Sequence, residues 1–174
     1  MFPTIEGRVP RRAEPFVESL LAEESALLLE GPRGSGKSTL LRAIAQRHEA
    51  VLIDLDDDAV LQLVREDPIS VLSAEGLVAI DEFHRAPEVL SVVKRVVDRQ
   101  GGVGRFLLAG SVSSFLLPPG TETLTGRAHR LALMPLSVAE ALGSPSRWFE
   151  RVLAEGEPSP VHVTATRADA FDAV

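Results

Sequence analysis

The sequence predicts an α/β fold in which a five-stranded, mostly parallel sheet carries helices on both faces. Short apolar runs alternate along the chain with longer stretches of helical periodicity, a pattern typical of parallel strands joined by helices. With 174 residues, of which 45% are hydrophobic, the chain is long enough to bury the core of one such domain. A glycine-rich segment separates the first apolar run from the next helix, as expected of a ligand-binding turn in this fold class.

The first three predicted elements surround the glycine-rich segment. Residues 14–22 place their apolar side chains on one helical face, which predicts a helix. Residues 26–30 form a short apolar run, which predicts a buried strand. After the segment, residues 37–46 again repeat apolar side chains at helical spacing, so a strand, a tight turn and a helix follow one another directly.

Two further pairs of strand and helix follow. Residues 51–55 predict a second buried strand, and the acidic run that closes it leads into a helix over 59–65. Pro68 opens another short helix, because proline is favoured in the first turn of a helix. Residues 77–81 predict a third strand, and a strongly periodic stretch over 87–99 predicts the helix that follows it.

The last two predicted strands are 105–109 and 129–133, and a short helix containing 137–142 follows the second of them. Three glycines after the preceding periodic stretch end its helix before the first of these strands. Beyond Gly143 the pattern gives way to serine, proline, glycine and charged residues. We therefore expect one domain over 1–142 and a weakly ordered tail over 143–174.

Composition and charge narrow the classes of function. The chain contains no cysteine, which excludes disulfides, thiolate catalysis and cysteine metal sites. No run approaches the roughly 18 apolar residues that span a bilayer, so we expect a cytoplasmic protein without membrane contact. A net charge of -7 does not indicate a nucleic-acid partner, and the cluster of Arg8, Arg11 and Arg12 is interpreted as solvated residues before the first helix.

The glycine-rich segment is the most specific motif. It consists of Gly31, Pro32, Arg33, Gly34, Ser35, Gly36, Lys37 and Ser38, with Thr39 following, and it fits G-x-x-x-x-G-K-[ST] without a mismatch. Its backbone N–H groups and the positive end of the next helix are expected to face one pyrophosphate. Lys37 would neutralise the β- and γ-phosphates, and the Ser38 hydroxyl would hold Mg²⁺. The alternative interpretation is an ordinary glycine-rich turn before a helix.

Lysine usage favours the phosphate-binding interpretation. The chain has two lysines, Lys37 and Lys94, against sixteen arginines. A lysine at the one position where the motif requires it is therefore not explained by background composition.

Acidic residues supply the second half of the predicted site. Asp81 and Glu82 close the third apolar run, and ligands in parallel sheets lie at the carboxyl ends of the strands. Asp81 is expected to support the Mg²⁺ ion that Ser38 binds, and Glu82 to polarise an attacking water. Acidic pairs after strands also cap helices, which is the alternative for this pair alone.

Two more residues are candidates for the catalytic centre. Ser111 follows the fourth apolar run, where a hydroxyl could orient the water or sense the nucleotide; it could equally cap a helix that holds Phe115 and Leu116. Arg127 is a candidate for an arginine that reaches the phosphates, either in the same chain or across an oligomer.

Two other functions remain open from the residues alone. Asp54 and Asp56, after the second predicted strand, occur at positions where small P-loop kinases bind an acceptor alcohol, whereas Asp81 and Glu82 favour water activation. A binding module that holds nucleotide without hydrolysing it is the other alternative. The four histidines show no pair with metal-ligand spacing, so a zinc site is not predicted.

Taken in order, these motifs resemble a prokaryotic group of AAA-like P-loop ATPases that carry an uncharacterised C-terminal domain. The resemblance covers roughly residues 8–142 and rests on GPRGSGKSTLLRAI, LIDLDDD, EDPISVL, LVAIDEFHRAPEVLSVVKRVVD, GRFLLAGSVSSFLL, LTGR and LALMPLSVAEAL. It implies a P-loop NTPase sheet of the ASCE type and hydrolysis of ATP with Mg²⁺. It also implies a Walker A nucleotide site over 31–39, a Walker B pair at Asp81 and Glu82, and a polar sensor at Ser111.

The resemblance also shapes expectations about size and partners. Members of the group are usually much longer, so we expect either a truncated product or a solitary module whose output domain is elsewhere. AAA-like enzymes often complete a site with an arginine from a neighbouring subunit, which implies a homo-oligomer. Besides the nucleotide, a protein partner of undetermined identity is expected.

Overall fold

The computed structural model describes residues 7–111, 127–141 and 143. By packing, these residues fall into two units. The first comprises residues 13–111 and 127–135, and the second comprises residues 7–12, 136–141 and 143. The predicted tail over 143–174 lies outside the described residues apart from Gly143, so that expectation stays a prediction.

Strands and helices alternate along the first unit. In chain order they are α1 (Glu14–Glu23), β1 (Ala26–Glu30), α2 (Lys37–Arg47), β2 (Val51–Asp54), α3 (Asp58–Glu66), α4 (Pro68–Leu72), β3 (Val78–Asp81), a short 3₁₀ helix (Phe83–Arg85), α5 (Val89–Gln100), β4 (Phe106–Gly110) and β5 (Ala128–Ala132). The predicted bounds agree to within one residue at each end, except at the start of α5, which begins two residues after Pro87. The 3₁₀ helix was not predicted.

The five strands form one sheet in the order β2-β3-β4-β1-β5, and every neighbouring pair is parallel. The predicted α/β fold is therefore confirmed. Because the strands are parallel, their carboxyl ends lie along one edge of the sheet. Register places Asp54 beside Asp81, and Glu30 beside Gly110, at this edge. Four chain segments that are distant in sequence thus end close together.

Side chains of the strands alternate between two hydrophobic clusters, one on each face of the sheet. In β1, Ala26 and Leu28 face the cluster formed with α3, α4 and α5, whereas Leu27 and Leu29 face the cluster formed with α1 and α2. This alternation is the period of a strand, and β1 is buried on both faces because helices cover both. Burial on both faces explains why the sequence of β1 is a continuous apolar run rather than an alternating one.

Acidic residues begin the two helices after β2. The side chain of Asp57 accepts hydrogen bonds from the backbone N–H groups of Ala59 and Val60, and Asp67 accepts one from Ser70. Each carboxylate therefore caps N–H groups that the first turn of a helix leaves without partners. Asp57, from the acidic run after β2, therefore serves as the N-cap of α3.

The second unit contains a short helix, α6 (Val138–Ala141), with a capping box at its start. Ser137 Oγ accepts from the N–H of Glu140, while the Glu140 carboxylate accepts from the N–H and hydroxyl of Ser137. The same carboxylate, 8% exposed, accepts from Arg12 N–H and Arg11 Nε. Burial acts to raise the pKa of Glu140, but these hydrogen bonds lower it to about 2. The PLS-x-x-E stretch therefore joins residues 7–12 to α6.

The end of β4 packs closely against the 3₁₀ helix. A Cβ on Gly110 would lie 2.7 Å from Cε1 of the fully buried Phe83 ring. We expect Gly110→Ala to destabilise the protein by about 1–3 kcal/mol, because it overpacks the core. In a double-mutant cycle measured by thermal denaturation, adding Phe83→Leu to Gly110→Ala should recover part of the lost stability. Additive losses would show that the ring and the glycine are not coupled.

Candidate functional site: a phosphate-binding loop beside an acidic strand end

The glycine-rich segment forms a loop between β1 and α2. Helix α2 starts at Lys37, and its first hydrogen bond runs from Leu40 N–H to Gly36 O at 2.9 Å. The backbone N–H groups of residues 37–39 therefore precede the first intrahelical bond and lie at the positive end of an eleven-residue helix. Pro32, Arg33 and Gly34 are exposed at the tip of the loop. This geometry is that of an anion site.

The start of the loop packs against the end of β5. A Cβ on Gly31 would lie 2.2 Å from the carbonyl oxygen of Leu133, which is backbone and cannot rotate away. Leu133 N–H in turn donates to Glu30 O at 2.7 Å. Only glycine fits at the first position of the motif, because two backbone segments meet there.

Lys37 is folded onto its own loop. The residue is 5% exposed, and its Nζ donates hydrogen bonds to Gly31 O and Pro32 O, both at 2.9 Å. Burial lowers the pKa of Lys37, and the nearby carboxylates of Glu82 and Asp81 act to raise it. The ammonium thus sits within the loop with carbonyl oxygens as its hydrogen-bond acceptors, where an incoming phosphate can replace them.

Asp81, at the end of β3, is the buried carboxylate of the site at 2% exposure. Its Oδ1 accepts from Ser38 Oγ at 3.0 Å and from Glu82 N–H at 3.1 Å. Burial raises the pKa of Asp81, while the Ser38 hydrogen bond and the nearby Arg42 act to lower it. The structure therefore brings together the two residues predicted to hold a metal ion.

Arg42 is a site residue that the sequence analysis missed. Its guanidinium donates to Asp54 Oδ2 at 2.8 Å and lies 3.5 Å from Asp81 Oδ2. It follows Ser38 by four residues, one helical turn, so both side chains face the same strand ends. The four-residue spacing of Ser38 and Arg42 is visible in the sequence. Only the pairing of β2 with β3 shows that Arg42 lies between Asp54 and Asp81.

Glu82 directly precedes the 3₁₀ helix and has an unusual backbone. Its φ of 53° is in the left-handed region, which non-glycine residues seldom occupy. Its Oε2 lies 3.0 Å from Nδ1 of His84. Backbone strain of this kind is concentrated at functional sites. The N–H of the same residue donates to Asp81 Oδ1, so Glu82 is joined to the acidic strand end.

The two remaining catalytic candidates lie at opposite edges of the sheet. Ser111 directly follows β4, whose last residue pairs with Glu30, so it lies beside the start of the phosphate loop. The helix that Ser111 was alternatively expected to cap falls outside the described residues. Arg127 directly precedes β5, on the side of the sheet where the parallel strands begin, here called the amino edge. It forms an ion pair with Asp98. The structure does not bring Arg127 to the phosphate loop of its own chain.

Asp54 and Asp56, on which the kinase interpretation rests, both have arginine partners. Asp54 pairs with Arg42, and Asp56 Oδ1 accepts from Arg85 at 3.2 Å. Arg85 also donates to the carbonyl oxygens of Leu55 and Asp56, so it ties this loop to the 3₁₀ helix. These contacts give the two carboxylates a role in joining neighbouring segments.

The donor set fits a triphosphate with a hard divalent cation. A loop of backbone N–H groups, a helix start and a buried ammonium are suited to phosphate oxygens. The Ser38 hydroxyl and the Asp81 carboxylate, in contact at 3.0 Å, are oxygen ligands of the kind Mg²⁺ prefers, and Mg²⁺ takes few protein ligands when phosphates supply the others. Ser38 and Asp81 could therefore hold the ion.

The parallel sheet and the phosphate loop define a P-loop NTPase fold. Residues 23–142 match the AAA domain family, and the chain belongs to this family as an AAA-like P-loop ATPase domain. Uncharacterized proteins of Mycobacterium tuberculosis and Mycobacterium bovis are each 30% identical over 130 residues, or 75% of this chain. The chain spans 30% of the length of these relatives.

Solved structures share the fold at low identity. A crystal structure of a DNA replication initiation factor aligns with a TM-score of 0.56 and 13% identity, covering 93% of this chain and 53% of that one. AMPPCP-bound DnaA from Aquifex aeolicus aligns with a TM-score of 0.51 and 12% identity, covering 92% and 57%. In the part of the chain that the structure describes, none of the helices has both the length and the apolar character of a membrane span.

Proposed function

We propose that the protein binds ATP with Mg²⁺ and hydrolyses it to ADP and phosphate. One observation carries the proposal: the carboxyl edge of the sheet holds the phosphate loop, the Ser38–Asp81 contact and the Glu82 carboxylate together. Membership of the AAA domain family supports ATP as the substrate. The AMPPCP bound to DnaA, a protein of the same fold, supports nucleotide binding.

Binding begins with the loop. The N–H groups at the start of α2 would donate to phosphate oxygens, and Lys37 would exchange its two carbonyl acceptors for the β- and γ-phosphates. Since both its present acceptors are neutral, the exchange gives the ammonium charged partners in a desolvated setting. Nucleotide affinity should therefore depend strongly on this one side chain.

Hydrolysis needs a positioned water. Glu82 accepts a proton from the water while the water oxygen forms a bond to the γ-phosphorus. The bond from that phosphorus to the β–γ bridging oxygen breaks. ADP keeps the electron pair of the broken bond, and the γ-phosphoryl group leaves as phosphate. Mg²⁺ held by Ser38 and Asp81 would supply positive charge to the β- and γ-oxygens.

Phosphate release from ATP in the absence of any acceptor alcohol tests the proposal. We expect release that requires Mg²⁺ and stops when EDTA is added. Release only in the presence of an alcohol would support the kinase alternative instead. Saturable ATP binding without release, even at high protein concentration, would contradict hydrolysis and support a binding module.

We further propose that Arg127 completes the site of a neighbouring copy in a homo-oligomer. Its position before β5, at the amino edge, separates it from the loop in its own chain. An arginine there can reach a phosphate only if another copy supplies the loop. Its ion pair with Asp98 holds the guanidinium at that edge.

Subunit mixing tests the role of Arg127. Arg127→Ala should lower turnover roughly 10- to 100-fold through loss of one charge-assisted contact, whereas Arg99→Ala on α5 should not. Arg127→Ala and Glu82→Gln, each impaired alone, should regain activity when mixed, because one interface then contains both wild-type residues. Failure to complement, together with turnover per chain that does not depend on protein concentration, would contradict a shared site.

A further inference from the structure

We propose that His84 is a positioning residue that holds the Glu82 carboxylate in the orientation that aligns the attacking water. This inference rests on the hydrolysis proposed above. Nδ1 of His84 and Oε2 of Glu82 lie 3.0 Å apart. Both atoms are buried, and neither has a hydrogen-bond partner elsewhere in the described part of the chain. A proton on Nδ1 and a small side-chain rotation would make the contact a hydrogen bond that satisfies both atoms.

The backbone between the two residues is held in place. Arg85 N–H donates to Glu82 O at 3.0 Å, and Ala86 N–H donates to Phe83 O at 3.1 Å, which closes the 3₁₀ turn. The Phe83 ring is fully buried and packs directly against Gly110. Because the residue between them is anchored in the core, Glu82 and His84 are presented on one side of a rigid turn.

The charge of Lys37 explains why the Glu82 carboxylate needs a partner at His84. The Glu82 carboxylate lies near Lys37, where it acts to raise the pKa of the ammonium. An unrestrained carboxylate would be drawn onto Lys37 and would then be poorly placed to accept a proton from water. A donor at His84 holds Oε2 away from the lysine and leaves Oε1 available to the water. His84 thus acts on the reaction through Glu82.

Two variants of nearly equal shape separate positioning from packing. Asparagine carries its Nδ2 donor on the same carbon, Cγ, that carries Nδ1 in histidine, whereas leucine places a methyl group there. At 37% exposure the His84 side chain can be replaced by either residue without a large packing defect. We expect His84→Leu to lower kcat roughly tenfold, and His84→Asn to keep most of the activity. Both variants should bind Mg·ATP within about twofold of the wild type.

The outcomes are distinct. Equal losses of kcat in His84→Asn and His84→Leu, or wild-type turnover in His84→Leu, would overturn the inference. If the wild-type chain itself releases no phosphate, the proposed hydrolysis fails, and imidazole ¹⁵N NMR decides the role of His84 independently. At a pH where the ring is neutral, the nucleotide-free protein should carry the proton on Nδ1. A ring protonated on Nε2 alone would overturn the contact.

Discussion

Glu82→Gln should leave ATP bound and lower turnover by roughly 10²- to 10⁴-fold, the usual contribution of a general base. The substitution keeps the volume of the side chain but removes its ability to take a proton. The turn should survive, because its backbone hydrogen bonds involve Glu82 O and Glu82 N rather than the carboxylate. Single-turnover phosphate release and a nucleotide-binding isotherm, measured on the same preparation, separate the two effects.

Glu75→Gln is the matched control for this substitution. Glu75 is exposed and precedes β3 at the opposite edge of the sheet from Glu82. The same change of charge there should leave both binding and turnover unaltered. Unchanged hydrolysis in Glu82→Gln would show that another group activates the water.

Lys37→Ala should weaken Mg·ATP binding by roughly a hundredfold or more. The ammonium is expected to contact two phosphates, and each charge-assisted contact is worth about 1.5–3 kcal/mol. The substitution also removes the hydrogen bonds to Gly31 O and Pro32 O, so the free loop loses its internal support. Calorimetric titration measures the affinity, and circular dichroism on the same samples reports whether the fold is retained.

Lys94→Ala controls for the loss of a lysine. Lys94 is the other lysine of the chain and lies on α5, away from the phosphate loop. Its replacement should not change nucleotide affinity. Wild-type affinity in folded Lys37→Ala would mean that the loop does not hold the phosphates.

The phosphate loop and the acidic strand end were predictable because each is continuous in sequence. Residues 31–39 carry a complete motif, and Asp81 and Glu82 stand directly at the end of an apolar run. In a parallel sheet such ends share one edge, so the Ser38–Asp81 contact at 3.0 Å follows from the motifs and the fold class together. The fold itself followed from the alternation of buried strands and amphipathic helices.

Contacts that depend on strand order or on an unusual backbone were not predictable in the same way. Arg42 joins Asp54 to Asp81 only because β2 is the neighbour of β3, and an apolar run does not encode its neighbours. The left-handed backbone of Glu82 gave no sequence signal, since glycine or asparagine would be the usual residue there. The sequence shows only that the histidines lack metal-ligand spacing, whereas the 3.0 Å distance between His84 and Glu82 arises from the 3₁₀ turn.

The placement of Arg127, by contrast, could have been inferred. It precedes a predicted parallel strand, and the amino end of such a strand lies opposite the ligand edge. Applying that rule to residue 127 favours a role across subunits over one within the chain. The structure adds its ion pair with Asp98 on α5.

Calorimetric titration of Mg·ATP into the folded wild-type protein is the most direct test of the central claim, that the loop before α2 binds a triphosphate. We predict a saturable heat signal corresponding to one site per chain, which is lost in Lys37→Ala and retained in Lys94→Ala. No heat with either adenine or guanine triphosphates, from protein shown to be folded, would contradict the claim.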